Sequence, residues 1–344
     1  MLFRSFGDVE RHGNVVYTTN FMPRVRSALA FVPKAGEPIL LANIGLRDVP
    51  AAKTITWVDD VRPFGRLPKD LIALIEEKRL THAAIGVCGF EEMLPVTDWN
   101  AIVKGLSAVR WQNRDGEIKA LRAVKESWEV EAIRRAGAMG DSALSLAPSV
   151  FKPGVSMRQA IAAIDLKVRS LGAEDARYMV ASGPQAEISL RPVDDRVLMP
   201  GDTIILSMMT QAQRYWGETA RTFVLGAVPQ ALSAVYKSAT DGIAAMCSTI
   251  LPGIRGTDIA QAAERALGGS GKSAAAYGFM NGIGLDADEA LDLADGVVKE
   301  GTTLALRVIL HGDGQGAAVA QTVRVGPNGC TPLNAESALI KIPA

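Results

Sequence analysis

The chain has 344 residues, enough for two domains of ordinary size, and is 48% hydrophobic and 22% charged, the composition of a globular protein. Lys plus Arg and Asp plus Glu each number 37, so no global field draws the chain to nucleic acid or to an anionic membrane. Only three histidines (His12, His82, His311) and three widely spaced cysteines (Cys88, Cys247, Cys330) occur, which argues against a multi-histidine metal site, a thiolate metal site or a disulfide framework.

The opening MLFRSFGDVERHG carries charges too early for a signal peptide, and no run of about 18 apolar residues offers a membrane span. A cytoplasmic protein is expected, with neither nucleic acid nor membrane as partner. In chain order, SALAFVPKAGEPILLAN predicts two strands joined by a Lys-Ala-Gly turn, and TITWVDDVRPFG another strand leading into a loop. PKDLIALIEEKRL predicts an amphipathic helix and HAAIGVCGF a short apolar strand after it. Residues 1–118 are thus expected to form a smaller α/β domain and 119–344 a second one. A long helix is predicted from near Lys125, with Ser127 as its cap and carboxylates in its first turn.

The second part repeats itself. FKPGVSMRQAIAAI from Phe151 matches ILPGIRGTDIAQAA from Ile250; each places a Pro-Gly break between two helical stretches. GDTIILSMM from Gly201 matches GTTLALRVI from Gly301, and RTFVLG from Arg221 matches QTVRVG from Gln321. Two helix–Pro-Gly–helix–strand–strand units, each about 100 residues long, predict a pseudo-two-fold domain. The pairing sets Ser207 opposite Arg307. In GTTLALRVILHG, Leu304, Leu306, Val308 and Leu310 alternate along one strand face, and Arg307 stands on the other. A guanidinium on such a strand needs a partner, because an unpaired buried charge is too costly to keep. Arg307 is therefore expected to point into a site built by both repeats.

Several segments, in order and spacing, resemble the creatinase, aminopeptidase P and prolidase family with its pita-bread fold. They are LRAVKESWEVEAIRRA, SGPQAEISLRPVDDRVLMPGDTIILS (with Gln185 in its tight turn), YWGETARTFVLG, MNGIGLDADEAL, GTTLALRVILHG and AVAQTVRVGPNGCTPL. The resemblance implies an α/β (α+β) architecture: a pita-bread domain with an internal pseudo-two-fold after a smaller creatinase/prolidase-type domain. It also implies a homodimer. Metallopeptidases of the family hold two metals with two Asp, one His and two Glu. Those positions fall on Ser207, Glu218, Asn281, Arg307, and either Ala320 or Gln321; the family's substrate-binding and proton-shuttling histidines fall on Leu190 and Asp288. Only Glu218 keeps a carboxylate among the five ligand positions, and two divalent cations need several anionic or imidazole ligands. A member without metal or other cofactor is expected.

Glu218 is the natural counter-ion for Arg307, with Asn281, Ser207 and Gln321 placed to take further hydrogen bonds. One reading makes the site a metal-independent hydrolase or lyase acting at a C–N bond of a small polar substrate, as creatinase does. Glu218 or Asp288 would then transfer protons, while Arg307, Asn281, Ser207, Gln321, Arg191 and Trp216 bind substrate. A second reading is a structural ion pair in a former metal site, within a binding or scaffold protein. A metal-dependent Xaa-Pro peptidase is disfavoured for want of ligands. His311, at the end of its strand and roughly 13 Å from Arg307, is expected to be solvated. The glycine-rich GDGQG after it lacks the Lys-Ser/Thr of a phosphate loop.

Overall fold

The computed structural model describes residues 1–5, 12–23, 26–183, 190–268, 278–289, 296–312 and 314–343, in two compact units, Met1–Arg122 and Ala123–Ala344. Gln185 lies outside the described residues, as does Asp313 of the GDGQG segment.

The first unit is a mixed six-stranded sheet. Its strands are β1 (Leu2–Ser5), β2 (Ala28–Phe31), β3 (Ile39–Ala42), β4 (Asp60–Pro63), β5 (Ala84–Cys88) and β6 (Arg110–Asn113), in the order β4-β3-β2-β1-β5-β6. The Lys-Ala-Gly turn joins antiparallel β2 and β3, with Gly36 at φ 98°, a left-handed conformation that glycine adopts without Cβ strain. The helix Leu67–Glu77 buries Leu67, Leu71, Leu74 and Ile75, one helical face, in a cluster with Leu29, Phe31, Leu41, Ile85 and Val87.

The second unit contains the repeat. Its first copy comprises the helices Ser127–Leu144 and Met157–Ser170, then β7 (Asp175–Gly183), β8 (Thr203–Ala212) and β9 (Tyr215–Leu225). The second comprises Gln230–Thr249, Gly256–Leu267, β10 (Met280–Gly282), β11 (Thr303–Gly312) and β12 (Gln315–Gly326). Two short strands follow: β13 (Gly329–Pro332), on β12, and β14 (Leu339–Ile342), on β9. The sheet order β10-β11-β12-β9-β8-β7 mirrors about the β12–β9 junction, where Ala320 pairs with its repeat counterpart Ala220. The turns match too. Gly154 N–H donates to Leu198 O and Gly253 N–H to Val298 O, each at 2.8 Å, and Gly201 and Gly301 both sit at φ 86°.

The helix Ser127–Leu144 is capped one residue earlier than the sequence suggests. Glu126 is the N-cap, and its N–H donates to Glu129 Oε2 at 2.8 Å; Ser127 is already helical. Against β9 this helix comes backbone to backbone: a Cβ on Gly217 would sit 2.6 Å from Gly137 N. Gly217 thus faces the helix, and by strand alternation Thr219 and Arg221 face it too, while Glu218 and Ala220 face away.

The two sheet faces differ. On one, Ile204, Leu206, Met208 and Phe223 pack with Ala136, Met139, Ile161 and Ile164 of the first copy's helices. In the second copy Leu304, Leu306, Val308 and Leu310 pack with Leu232, Val235, Ile259 and Ala263. The opposite face carries a smaller cluster without helix residues: Ala181, Leu190, Ile205, Ala220, Ile309, Ala318 and Ala320, flanked by Met179.

Candidate active site

Strand register assembles the site on that helix-free face. Cross-strand pairing runs Met179–Ser207, Ser207–Ala220, Ala220–Ala320 and Ala320–Arg307, one row crossing β7, β8, β9, β12 and β11. Side chains paired across a sheet share a face, so Ser207 and Arg307 stand symmetrically about the Ala220–Ala320 axis. Arg307 extends across β12 to reach Glu218 on β9, and its cross-strand neighbour on β12 is the small residue Ala320.

There it makes a two-pronged ion pair: Nε donates to Glu218 Oε1 at 2.9 Å and Nη2 to Glu218 Oε2 at 2.5 Å. Nη2 also donates to Asn281 Oδ1. All three residues are buried, with Glu218 only 2% exposed. Burial by itself lowers the pKa of Arg307, but the adjacent Glu218 carboxylate outweighs it, by field and by hydrogen bond, with a further contribution from Asp288. The net shift is upward, so the guanidinium stays charged.

The surrounding chain fixes both partners. Glu218 N–H donates to Thr322 Oγ1 at 3.1 Å, and Glu218 O accepts from Thr322 Oγ1 and from Asn334 Nδ2, each at 3.1 Å. Asn281 Nδ2 donates to Gly282 O at 2.6 Å and to Ala287 O at 3.0 Å. With its oxygen on Arg307 and its amide hydrogens on backbone, Asn281 positions Arg307 and closes the Gly-Ile-Gly loop. It is not a free donor for substrate, as the sequence had suggested.

Other expected site residues fall in different places. Ser207 is half-buried on the row, and Asp288 is exposed, its charge reaching Arg307. Arg191 is exposed beside buried Leu190 and lies 3.4 Å from Asp194. Trp216 is fully buried, under the Arg177 guanidinium 5.5 Å from the ring centroid, so it serves as packing. Gln321 pairs in register with Leu306, on the helix-covered face, and its Nε2 is buried without a partner among the described residues. Ala320, not Gln321, therefore occupies the fifth ligand position. His311 is half-buried rather than solvated, with Nε2 shielded and unpartnered among the described residues.

Sequence reasoning missed a second ion pair, Lys125 Nζ to Glu289 Oε2 at 2.5 Å. Glu289 Oε1 also accepts from Leu285 N–H at 2.9 Å, so this member of the acidic DADE cluster braces the loop. A lysine directly before a helix start and a carboxylate at the end of a Gly-Ile-Gly loop were visible, but nothing local linked them.

As for metal, no group of three or more His, Cys, Asp or Glu side chains among the described residues could hold an ion. The donor set at the five positions is a hydroxyl, a carboxylate, an amide, a guanidinium and a methyl group, with the carboxylate already bound to the guanidinium. These residues do not fit a dinuclear centre.

A mirrored six-strand path with helices on one face and a polar cluster at its axis on the other defines the pita-bread class. The chain belongs to the metallopeptidase family M24, whose model matches residues 131–327. It is similar to an uncharacterized peptidase of Staphylococcus epidermidis, 22% identical over 82% of this chain and 79% of the relative. Among solved structures it resembles the X-Pro aminopeptidase from Thermotoga maritima, with a TM-score of 0.86 and 18% identity over 98% of this chain and 95% of that one. The Xaa-Pro dipeptidase from Bacillus anthracis gives a TM-score of 0.84 at 19% identity, over 99% and 95%. The fold expected from the sequence is thus borne out.

Proposed function

We propose that the polar cluster on the helix-free sheet face is a metal-independent, creatinase-like site that hydrolyses or eliminates at a C–N bond of a small polar substrate. The observation that supports this is the Arg307–Glu218 pair standing where family metallopeptidases carry metal ligands. Arg307, held by Glu218 and Asn281, supplies fixed positive charge where negative charge develops on the substrate. Asp288, the exposed carboxylate within the field of that cation, takes a proton from the attacking water and returns it to the leaving nitrogen. Both oxygens of Glu218 are committed to Arg307, which makes it the orienting counter-ion rather than the proton carrier. Exposed Arg191 and half-buried Ser207 are further polar groups for substrate. A homodimer in the cytoplasm belongs to the same reading, on the family resemblance and the balanced charge.

The test is turnover by EDTA-treated protein of a panel of N-alkyl and N-amidino amino acids, beside Xaa-Pro dipeptides with and without Mn²⁺. The expected result is turnover of a panel member that EDTA leaves unchanged and that Asp288→Asn reduces by about 100-fold or more. Xaa-Pro hydrolysis that requires Mn²⁺ would contradict the proposal. Absence of turnover, with a panel compound still raising the melting temperature of wild type but not of Asp288→Asn, would make the cluster a binding site instead.

A further inference from the structure

Two of the three cysteines, far apart in sequence, meet in the fold. Cys247 lies in the last turn of the helix Gln230–Thr249 and Cys330 in β13; both are half-buried and free, and both pack against the apolar cluster of the second repeat. Cys330 Sγ donates to the Cys247 carbonyl oxygen at 3.7 Å, which sets the two residues side by side. We propose that Cys247 and Cys330 form a peroxide-sensitive dithiol that closes to an intramolecular disulfide.

The environments divide the roles. The Cys247 thiol beside it lowers the pKa of Cys330 against the opposing effect of burial, which favours a thiolate there. Cys247 is shifted upward by Cys330, by burial and by the Glu336 carboxylate. Cys330 thiolate therefore attacks hydrogen peroxide, breaking the O–O bond, forming the sulfenic acid and releasing hydroxide, which is protonated to water. Cys247 then gives up its proton and attacks the Cys330 sulfur; the S–O bond breaks and a second water leaves. Two thiols and one peroxide become one disulfide and two waters.

The link has a structural consequence. Directly after β13, Asn334 donates to the Glu218 carbonyl, and Ser337 Oγ donates to Ala220 O at 2.8 Å and Ala320 O at 3.2 Å. A disulfide at Cys330 would tie to a helix the hairpin that leads into this brace. Cys88 is the internal control: fully buried, its thiol pushed up to about 12 by burial and by Asp115, it donates to Arg114 O at 3.3 Å.

Peptide mapping of the peroxide-treated, denatured full chain without reductant tests this. The expected result is a Cys247–Cys330 cross-linked peptide with the mass loss of two hydrogens, free thiols falling from three to one, full reversal by dithiothreitol, and a melting temperature raised by several degrees. Cys247→Ser should leave a sulfenic acid at Cys330 that dimedone traps, and Cys330→Ser should leave Cys247 unmodified. Oxidation of Cys330 to sulfinic or sulfonic acid in wild type without the cross-link, or cross-linking through Cys88 or between chains, would overturn the proposal.

Discussion

Two buried arginines in the repeat domain, Arg221 on β9 and Arg307 on β11, sit on opposite sheet faces and solve the same problem differently. Arg221 faces the helices. Nη2 donates to Asp141 Oδ1 at 2.7 Å and Ala335 O at 3.2 Å, while Nη1 donates to Thr219 Oγ1, Ala220 O and Ser337 Oγ. Burial, the largest influence, lowers its pKa despite Asp141. Its charge is spread over backbone and hydroxyl groups, so the guanidinium works as a bracket joining a helix, a strand and the C-terminal segment. Arg307 has a two-pronged carboxylate and an amide, its pKa shifts upward, and it stands on the face without helix residues. Burial alone does not separate scaffold from site; what the cation is bonded to, and which face it occupies, does.

The largest expected effect comes from removing one member of the Arg307–Glu218 pair. Glu218→Leu strands a buried cation and should cost about 3–5 kcal/mol by chemical denaturation. Glu218→Leu with Arg307→Met should recover most of that loss, since an apolar pair of similar volume replaces a desolvated ion pair. The bracket behaves otherwise. Asp141→Leu should cost about 2–3 kcal/mol, and adding Arg221→Met should not restore it, because Ala335 O then loses its Arg221 donor and the Thr219 hydroxyl its contacts to both residues. Rescue at both sites would erase the distinction drawn here.

Ala320→Leu obstructs the path of the Arg307 side chain to Glu218 and should cost about 1–3 kcal/mol, with a loss of the bidentate geometry visible in a crystal structure. The smallest effect belongs to a half-buried guanidinium, Arg62 in the first unit, paired with Asp60 at 2.7 Å and Glu77 at 2.5 Å. Hydrogen bonds from Arg62 hold the Asp60 carboxyl below its usual 3.8, against a smaller opposing effect of burial. A depressed carboxyl stabilises the fold above its ordinary pKa and loses that contribution as pH falls through the folded value. Arg62→Gln should therefore shift the acid-unfolding midpoint slightly upward and change neutral-pH stability by less than about 1 kcal/mol.

Much of the fold was legible because the repeat writes the same turn chemistry twice, at Gly154 and Gly253 and again at Gly201 and Gly301. Arg307 was legible as a charge in an otherwise apolar strand pattern, and Glu218 as the remaining carboxylate at a matched position. Gln321 was not, since a one-residue change in how AQTV is registered moves every side chain to the other face, and the pairings of Ala320 with Arg307 and with Ala220 settle it. The commitments of the Asn281 amide hydrogens were hidden because their partners are backbone carbonyls. Asp141 and Arg221, like Cys247 and Cys330, come together through tertiary packing between a helix and a distant strand, which local pattern does not encode.

Diffraction from crystals soaked in Mn²⁺, with anomalous maps, tests most directly whether a protein-borne charge has replaced the inorganic ones. No anomalous peak is expected along the row from Ser207 to Arg307, with both Glu218 oxygens still on the guanidinium. Ions coordinated by Glu218, with Arg307 displaced from it, would show that metal and not the guanidinium supplies the charge there.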